Sequence, residues 1–449
     1  MASATKRGHF LFGCVCSAAC GLRARSTVAN HDNASMRPPG ARPSLIFWIA
    51  ALAFVLRVVA RLCQGIGNFW VNGYTFFFAF AQSIAAGRGF AVANGVPTAF
   101  RVPLYPILLA GLTFGHHWFW PIVLVQSLIG AATCVCAGLL TQQMFPGARG
   151  RRAAALAAAI TAIYPYYVVH DTALQETSLF TLLTLVAVLL ALRVARTGTR
   201  LPAISCGLVL GLDVLTRSPI APFALLVPLW LVARCRVAQG LICALMLGIT
   251  ISPWLIRNDL LTGEPVLTTE AGFELWNGNN PMLFDYYPMQ SIDASIAANV
   301  DALSAQDQQE LAQLGNNEAA VDHWYQQKAL TYMRAHPWLT AANGFRKIAA
   351  TFDWLPTPRR SHAQTVAHFL SFGPVMLLGL WGMWRRRTQW RDDSLVYLLF
   401  AQFVVVTAVY FGQTNHRVFL DVYWIAFAAG VVAEKLREQP TGEPIAKQV

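Results

Sequence analysis

The sequence predicts an all-α polytopic membrane protein with about ten transmembrane helices. Three observations carry that expectation. Of 449 residues, 55% are hydrophobic and only 12% charged, about half the charge of a typical soluble domain. Apolar runs near 20 residues, the helix length that crosses a bilayer core, recur along the chain. The basic residues between those runs alternate in a way that fixes an orientation.

The expected spans are 44–63, 119–143, 152–168, 173–195, 202–216, 219–234, 238–256, 366–384, 393–411 and 418–434. Residues 101–114 form a further apolar helix. Under this count "PGARGRR" (146–152), "RVARTGTR" (193–200), "RCR" (234–236), "RRRTQWR" (385–391) and "EKLREQ" (434–439) fall on one side, together with the amino-terminal tail. That side holds 21 of the 34 Lys and Arg, so it is read as the cytoplasm. The net charge of +12 thus follows from membrane orientation. The charges are scattered over loops with no basic domain, which argues against a nucleic-acid partner. Cys63, Cys134, Cys136, Cys206, Cys235 and Cys243 lie in or beside spans, where cysteine packs as a small hydrophobe. Cys14, Cys16 and Cys20 match no zinc-site spacing.

The chain divides as follows. Residues 1–43 are expected to be a disordered cytoplasmic tail, in which Met36 is a second candidate start. Residues 44–256 are the transmembrane core, including a far-side loop, 64–118. Residues 257–365 are a far-side helical segment, 366–436 the last membrane helices, and 437–449 a cytoplasmic tail. Within the first loop, "GYTFFFAFAQSIAAGRGF" (73–90) reads as an interfacial helix stopped at Gly87 and Gly89. The 257–365 segment is the one long polar stretch and holds 12 of the 22 acidic residues. In it, 301–314 and 317–337 read as amphipathic helices, a helical cap over a membrane site. No internal repeat is visible.

Ionisable groups at the far-side edge need a partner or a task, because a charge near mid-bilayer costs roughly 2.5–3.5 kcal/mol. Arg217 has Asp213 four residues before it, and Arg417 has Asp421 four after. This spacing lets side chains on one helix meet. Each pair reads either as self-neutralising or as part of a site. Arg257 and Asn258 end a span, and Arg101 opens "RVPLYPILLA" (101–110). Four arginines on one edge suit a phosphate, which the planar guanidinium grips bidentately. Pro103 and Pro106 stiffen the chain after Arg101 and Tyr105 suits the aromatic belt, so the run aims Arg101 at a head group. In "YPYYVVHDTALQETSLF" (164–180), His170, Asp171 and Glu176 lie between two spans. Asp171 reads as a helix cap or a catalytic base. Glu176, inside an apolar run, reads either as a solvated side chain or as a site residue.

Seven segments in order carry a resemblance: "AQSIAAGRGF" (81–90), "RVPLYPILLA", "YPYYVVHDTALQETSLFTLL" (164–183), "LTRSP" (215–219), "PWLIRNDLLTGEPVLTTEAGFELWNGNNP" (253–281), "KALTYMRAHP" (328–337) and "NHRVFLDVYW" (415–424). Over 44–434 the chain resembles the GT-C superfamily of membrane glycosyltransferases. Within it, the nearest resemblance is to bacterial protein mannosyltransferases and lipid A aminoarabinose transferases. That resemblance implies a GT-C-like periplasmic first loop and a helical periplasmic insertion in the bacterial inner membrane, with the active side periplasmic. It implies a polyprenyl-phosphate-linked sugar donor and a lipid, glycan or protein acceptor. The assigned roles are Asp171 as base or acceptor-orienting group with Glu176 in support, Arg101, Arg217, Arg257 and Arg417 on phosphate with Tyr105 beside them, and Asn258 and Asn280 positioning sugar or backbone. No cofactor or metal ligand set is identified. The family places an acid in the first periplasmic loop. Here that position falls at Gly73, beside Asn72, and no acid occurs between Asp32 and Asp171. A catalytically inactive carrier-binding protein is the alternative. A transporter is disfavoured, because no inverted repeat or broken mid-span helix is evident.

Overall fold

The computed structural model describes residues 45–70, 75–92, 94–354 and 362–435. The two tails and the Asn72–Gly73 position lie outside the described residues. Helices account for nearly all the regular structure, with one isolated bridge between Ala91 and Pro97 in the first loop. The membrane region contains α1 (Leu45–Gln64), the short loop helices α2 (Thr75–Ala85) and α3 (Leu104–Thr113), α4 (Phe119–Met144), α5 (Gly147–Ile163), α6 (Pro165–Asp171), α7 (Thr177–Thr197), α8 (Arg200–Val214), α9 (Ala221–Ala233) and α10 (Val237–Thr262). The polar segment folds as α11 (Ala271–Gly278), α12 (Ile292–Asp301), α13 (Ala305–Leu314), α14 (Glu318–Ala335) and α15 (Pro337–Thr351). The chain then returns through α16 (His362–Arg385), α17 (Trp390–Val409) and α18 (Val418–Lys435).

Six helices are long and apolar enough to cross a membrane: α1, α4, α7, α10, and the stretches of α16 and α17 at Thr365–Arg385 and Arg387–Val409. Counting the bent pair α5–α6 as one broken span makes seven. The other three expected spans also form helices between the same two edges; α8 has 15 residues and α9, with the turn before it, covers Ser218–Ala233, so both are shorter than the six. α18 has 18 residues but carries three charged ones, Asp421, Glu434 and Lys435; it is buried along almost its whole length, from Val418 to Ala433, so it forms the axis of the bundle. Helices α16, α5, α4 and α7 surround it. Small residues allow that close approach. Gly379 and Gly382 lie against Trp424 and Phe427, and the alanine-rich face of α5 buries Ala153, Ala154, Ala157 and Ala158.

The 152–168 run breaks where sequence periodicity does not show it. Pro165 ends α5 at Ile163, and α6 leaves at 54°. In the polar segment the expected 301–314 helix starts later, as α13 at Ala305, with a separate helix before it. α12 stops at Asp301, and Ser304 starts α13 with a reciprocal capping box to Asp307. Asn317 caps α14 as its position suggests. α11 has no cap of its own. Asp322 of α14 accepts the amide hydrogens of Gly272 and Phe273 at 2.7 and 3.2 Å, so the polar segment is closed by one helix satisfying the start of another. Lys347 of α15 pins this segment to the bundle. Its buried ammonium donates to the carbonyls of Gly278, Val409 and Tyr410 at 3.1, 3.2 and 2.7 Å and to Asn279 Oδ1 at 3.4 Å.

Candidate functional site

One edge of the bundle collects the ionisable residues, and backbone bonds between distant segments hold them there. Arg217 follows the end of α8 and Arg101 precedes α3. Their loops are tied by the Leu104 amide donating to the Leu215 carbonyl at 2.9 Å. The Thr269 amide donates to the Ala99 carbonyl at 3.0 Å, which brings Glu270 at the start of α11 beside Arg101. Glu318 of α14 fastens the same junction, accepting from the Ala99 amide at 2.8 Å and from Thr269 Oγ1 at 2.9 Å.

Arg101 and Glu270 form an ion pair at 2.6 Å, the arginine side chain 31% exposed and the carboxylate nearly covered. The guanidinium lies among Phe76 and Phe100, both within 5.3 Å of its centre. Arg217, 20% exposed, lies 3.7 Å from Glu176 Oε1 and over the Phe180 ring. Half-buried Glu274 stands within the electrostatic reach of both arginines. His416, on the connection between α17 and α18, feels both as well. Two cations and three carboxylates therefore share one edge, fed by four separate parts of the chain. Burial pushes the Glu270 carboxyl up to about 8 against the pull of Arg101. Burial also raises Glu274, and Arg101 opposes it. His416 is pushed down to about 3 by burial and by Arg217 and Arg101, so it is a neutral imidazole at pH 7.

The expected site residues separate into two groups. Arg101, Arg217 and Glu176 are at this edge with donor or acceptor groups still open to it. The other six are committed to structure. Asp171 is buried against Arg57 of α1, whose Nε donates at 2.6 Å. It faces the interior between α1 and α4, where Gly130 leaves just enough room for the pair. Tyr105 donates to Gln126 Oε1 at 3.2 Å, and its ring packs on Phe77. Arg257 ties the first loop to α10, donating to the Thr98 and Phe90 carbonyls at 2.6 and 2.8 Å, with its guanidinium stacked on Trp254. Asn258 donates to the Val266 and Leu267 carbonyls, and Asn280 caps the end of α11 through the Trp276 and Asn277 carbonyls. Arg417 is wholly buried. Its Nη1 reaches both oxygens of Asp421 at 2.7 and 2.8 Å, and it lies on the Phe372 ring.

The two i,i+4 pairs thus behave differently. Arg417 and Asp421 meet. Arg217 and Asp213 do not, because α8 ends at Val214 and Arg217 sits in extended backbone (φ −154°, ψ 108°), off the helical face. Asp213 instead accepts from Thr184 Oγ1 at 2.9 Å, which leaves Arg217 for Glu176. Glu270, Glu274 and His416 were not singled out by sequence reasoning. The signal was present for Glu270, since "VLTTEAGFELWNGNNP" sits in the quoted block and contains the acids. Among the described residues no three His, Cys, Asp or Glu side chains converge as a metal site.

No family model and no curated protein matches the chain. Two solved structures are similar over 87% of it. One is an oligosaccharyltransferase from Archaeoglobus fulgidus tethered to an acceptor peptide containing the NVT sequon, with 15% identity and a TM-score of 0.46. The other is ArnT from Cupriavidus metallidurans bound to undecaprenyl phosphate, with 14% identity and a TM-score of 0.40. The chain spans 50% of the oligosaccharyltransferase and 78% of ArnT.

Proposed function

We propose that the protein is a glycosyltransferase of the bacterial inner membrane that moves a sugar from a polyprenyl-phosphate carrier to a lipid, glycan or protein acceptor on the periplasmic side. One observation carries this reading: two partly exposed arginines, Arg101 and Arg217, share an edge of a membrane bundle with a carboxyl group, Glu270, whose proton affinity lies near neutrality. The ordered motifs described above favour the same chemistry.

In this proposal Arg217 holds the carrier phosphate. Its one carboxylate contact is long, so it can turn to a stronger oxyanion, and charge building on a leaving phosphate is where a fixed cation lowers a barrier. Glu270 is the base, in place of Asp171, whose carboxylate is enclosed with Arg57. The acceptor oxygen attacks the anomeric carbon, the bond from that carbon to the phosphate oxygen breaks, and the acceptor proton passes to Glu270. Arg101 orients the Glu270 carboxylate and supplies a second positive charge. Glu176 keeps Arg217 in place before the donor arrives. Arg257, Asn258 and Asn280 position the loops, and Arg417 with Asp421 holds α18 beneath the site. A base with a proton affinity near the working pH suits this role.

The test is mass spectrometry of lipid A, surface glycans and glycoproteins from a deletion strain, complemented with wild type, Glu270→Gln, Asp171→Asn or Arg217→Ala. The expected result is loss of one sugar on deletion, restored by wild type and by any Asp171→Asn protein that accumulates, but not by Glu270→Gln or Arg217→Ala. Full restoration by Glu270→Gln overturns its role as base. No change on deletion favours the carrier-binding alternative, which the absence of a first-loop acid motivates.

A further inference from the structure

At the other end of the same helices the bundle holds a cavity of about 790 Å³. It opens where the carboxyl ends of α4, α7, α9 and α16 meet the start of α17, on the edge that carries most of the basic residues. α7 links the two edges, with Glu176 before its first turn and Arg196 in its last. Arg149, Arg196, Arg234, Arg236 and Arg386 line the cavity, against Asp392 and Asp393.

Helix carboxyl ends carry partial negative charge, and part of this basic ring answers it. Arg386 donates to the Met144 carbonyl at 2.8 Å, Arg196 to Gln143 at 3.2 Å, and Arg236 to Ala195 at 3.2 Å and to Arg196 at 3.4 Å. Carboxylates neutralise two members. Asp393 takes Arg386 through two bonds at 2.8 and 2.9 Å, and Glu434 lies 3.6 Å from Arg149. Arg196 and Arg236 touch only carbonyls among the described residues. Each guanidinium has five N–H donors. Arg196 uses Nη2 alone, and Arg236 uses Nε and Nη2. Two unneutralised cations with spare donors thus line a cavity large enough for a head group. Met144, Leu192 and Trp230 give it an apolar wall. Basic pockets between membrane helix ends lie at the depth of lipid phosphates and attract them.

We propose that this cavity binds a phosphate group, either on an anionic lipid head group or free in solution, with Arg196 and Arg236 as its principal ligands. This inference is independent of the glycosyltransferase reading, since it concerns the opposite edge and no residue of the Arg101–Glu270 site.

The experiment uses the full-length protein, purified and delipidated in a neutral detergent. Thermal stability is followed while dioleoylphosphatidylglycerol or dioleoylphosphatidylcholine is titrated into the micelles, and separately with inorganic phosphate against chloride at matched ionic strength. The expected result is a saturable rise in melting temperature with phosphatidylglycerol and not with phosphatidylcholine. The Arg196→Gln/Arg236→Gln variant should weaken the apparent affinity about 25-fold, at about fivefold per arginine. Because that pair also tethers the α7–α8 loop, Gln389→Glu is measured in parallel. It adds a carboxylate to the wall and should weaken binding about fivefold. A saturable rise with inorganic phosphate, lost in the same variants, supports the site with a soluble source. Equal responses to the two lipids with none to phosphate, or variants that titrate like wild type, overturn it.

Discussion

Glu270 is where burial and an ion pair pull in opposite directions, and Glu270→Gln measures which prevails. The side chain is nearly covered, yet Arg101 stands 2.6 Å away. Burial wins in the structure, raising the carboxyl from 4.5 to about 8. Because the folded group holds its proton more tightly than the unfolded one, the associated stability is fully present below pH 4.5. It is lost as pH rises through about 8. At about 1.4 kcal/mol per pH unit, the whole span is worth about 5 kcal/mol. Glutamine mimics the protonated acid and does not titrate. The variant should therefore match wild type in melting temperature at pH 4 and exceed it increasingly from about pH 4.5 to 8, with the full gap reached at pH 9. Arg101, 31% exposed, can be solvated once its partner is neutral. Thermal unfolding in detergent across pH 4–9, read by intrinsic tryptophan fluorescence, gives both curves. A wild type more stable than the variant at pH 9 refutes the reasoning, because it would mean that Arg101 holds Glu270 ionised throughout. In the proposed reaction the same titration has a second readout. Sugar transfer by wild type should climb with pH up to about 8, and Glu270→Gln should lose roughly 10²–10⁴ of the rate at every pH.

Other expected outcomes separate site from scaffold. Arg217→Ala should abolish transfer with a stability change within about 1 kcal/mol, as its one carboxylate contact is long and partly exposed; parallel melting and transfer assays check both. Asp171→Ala leaves Arg57 buried without its carboxylate and should cost about 3–5 kcal/mol, seen as loss of folded protein in detergent size-exclusion profiles. Gly130→Ala should behave similarly, since a β-carbon there collides with both members of that pair. Lys347→Met leaves the buried Gly278, Val409 and Tyr410 carbonyls without their donor, at roughly 1–3 kcal/mol each; limited proteolysis should then cut the 257–365 segment faster than the bundle.

The helices were legible in the sequence because their signal is local. Apolar runs mark α1, α4, α7 and α10, and Gly87 and Gly89, both with φ of 73°, stop the chain near α2 as glycine should. What hydropathy does not carry is whether an apolar helix faces lipid or protein. α18 runs from one edge to the other as the apolar run predicts, but it faces protein and not lipid, with Arg417 and Asp421 closed on each other at its start. Nor does it carry length: α8 and the Ser218–Ala233 helix are shorter than the six long spans.

The site was legible in its arginines and not in its acids, and the difference is physical. An arginine at a span end advertises itself because the bilayer penalises it. A glutamate in a polar segment of some 110 residues does not, since water there solvates most of its neighbours. Only the packing of that segment onto the first loop, through Ala99, Thr269 and Glu318, turns Glu270 from a loop acid into a buried one. The same packing explains why Arg257 and Asn258 read as ligands. They lie at the right edge, but their donors are spent on the carbonyls of Phe90, Thr98, Val266 and Leu267, which hold the two loops together. An acid missing from the first loop and an acid delivered by the later segment are then two sides of one arrangement: in a chain that carries no carboxylate between Asp32 and Asp171, the charge facing Arg101 has to come from a part of the sequence that folds over it.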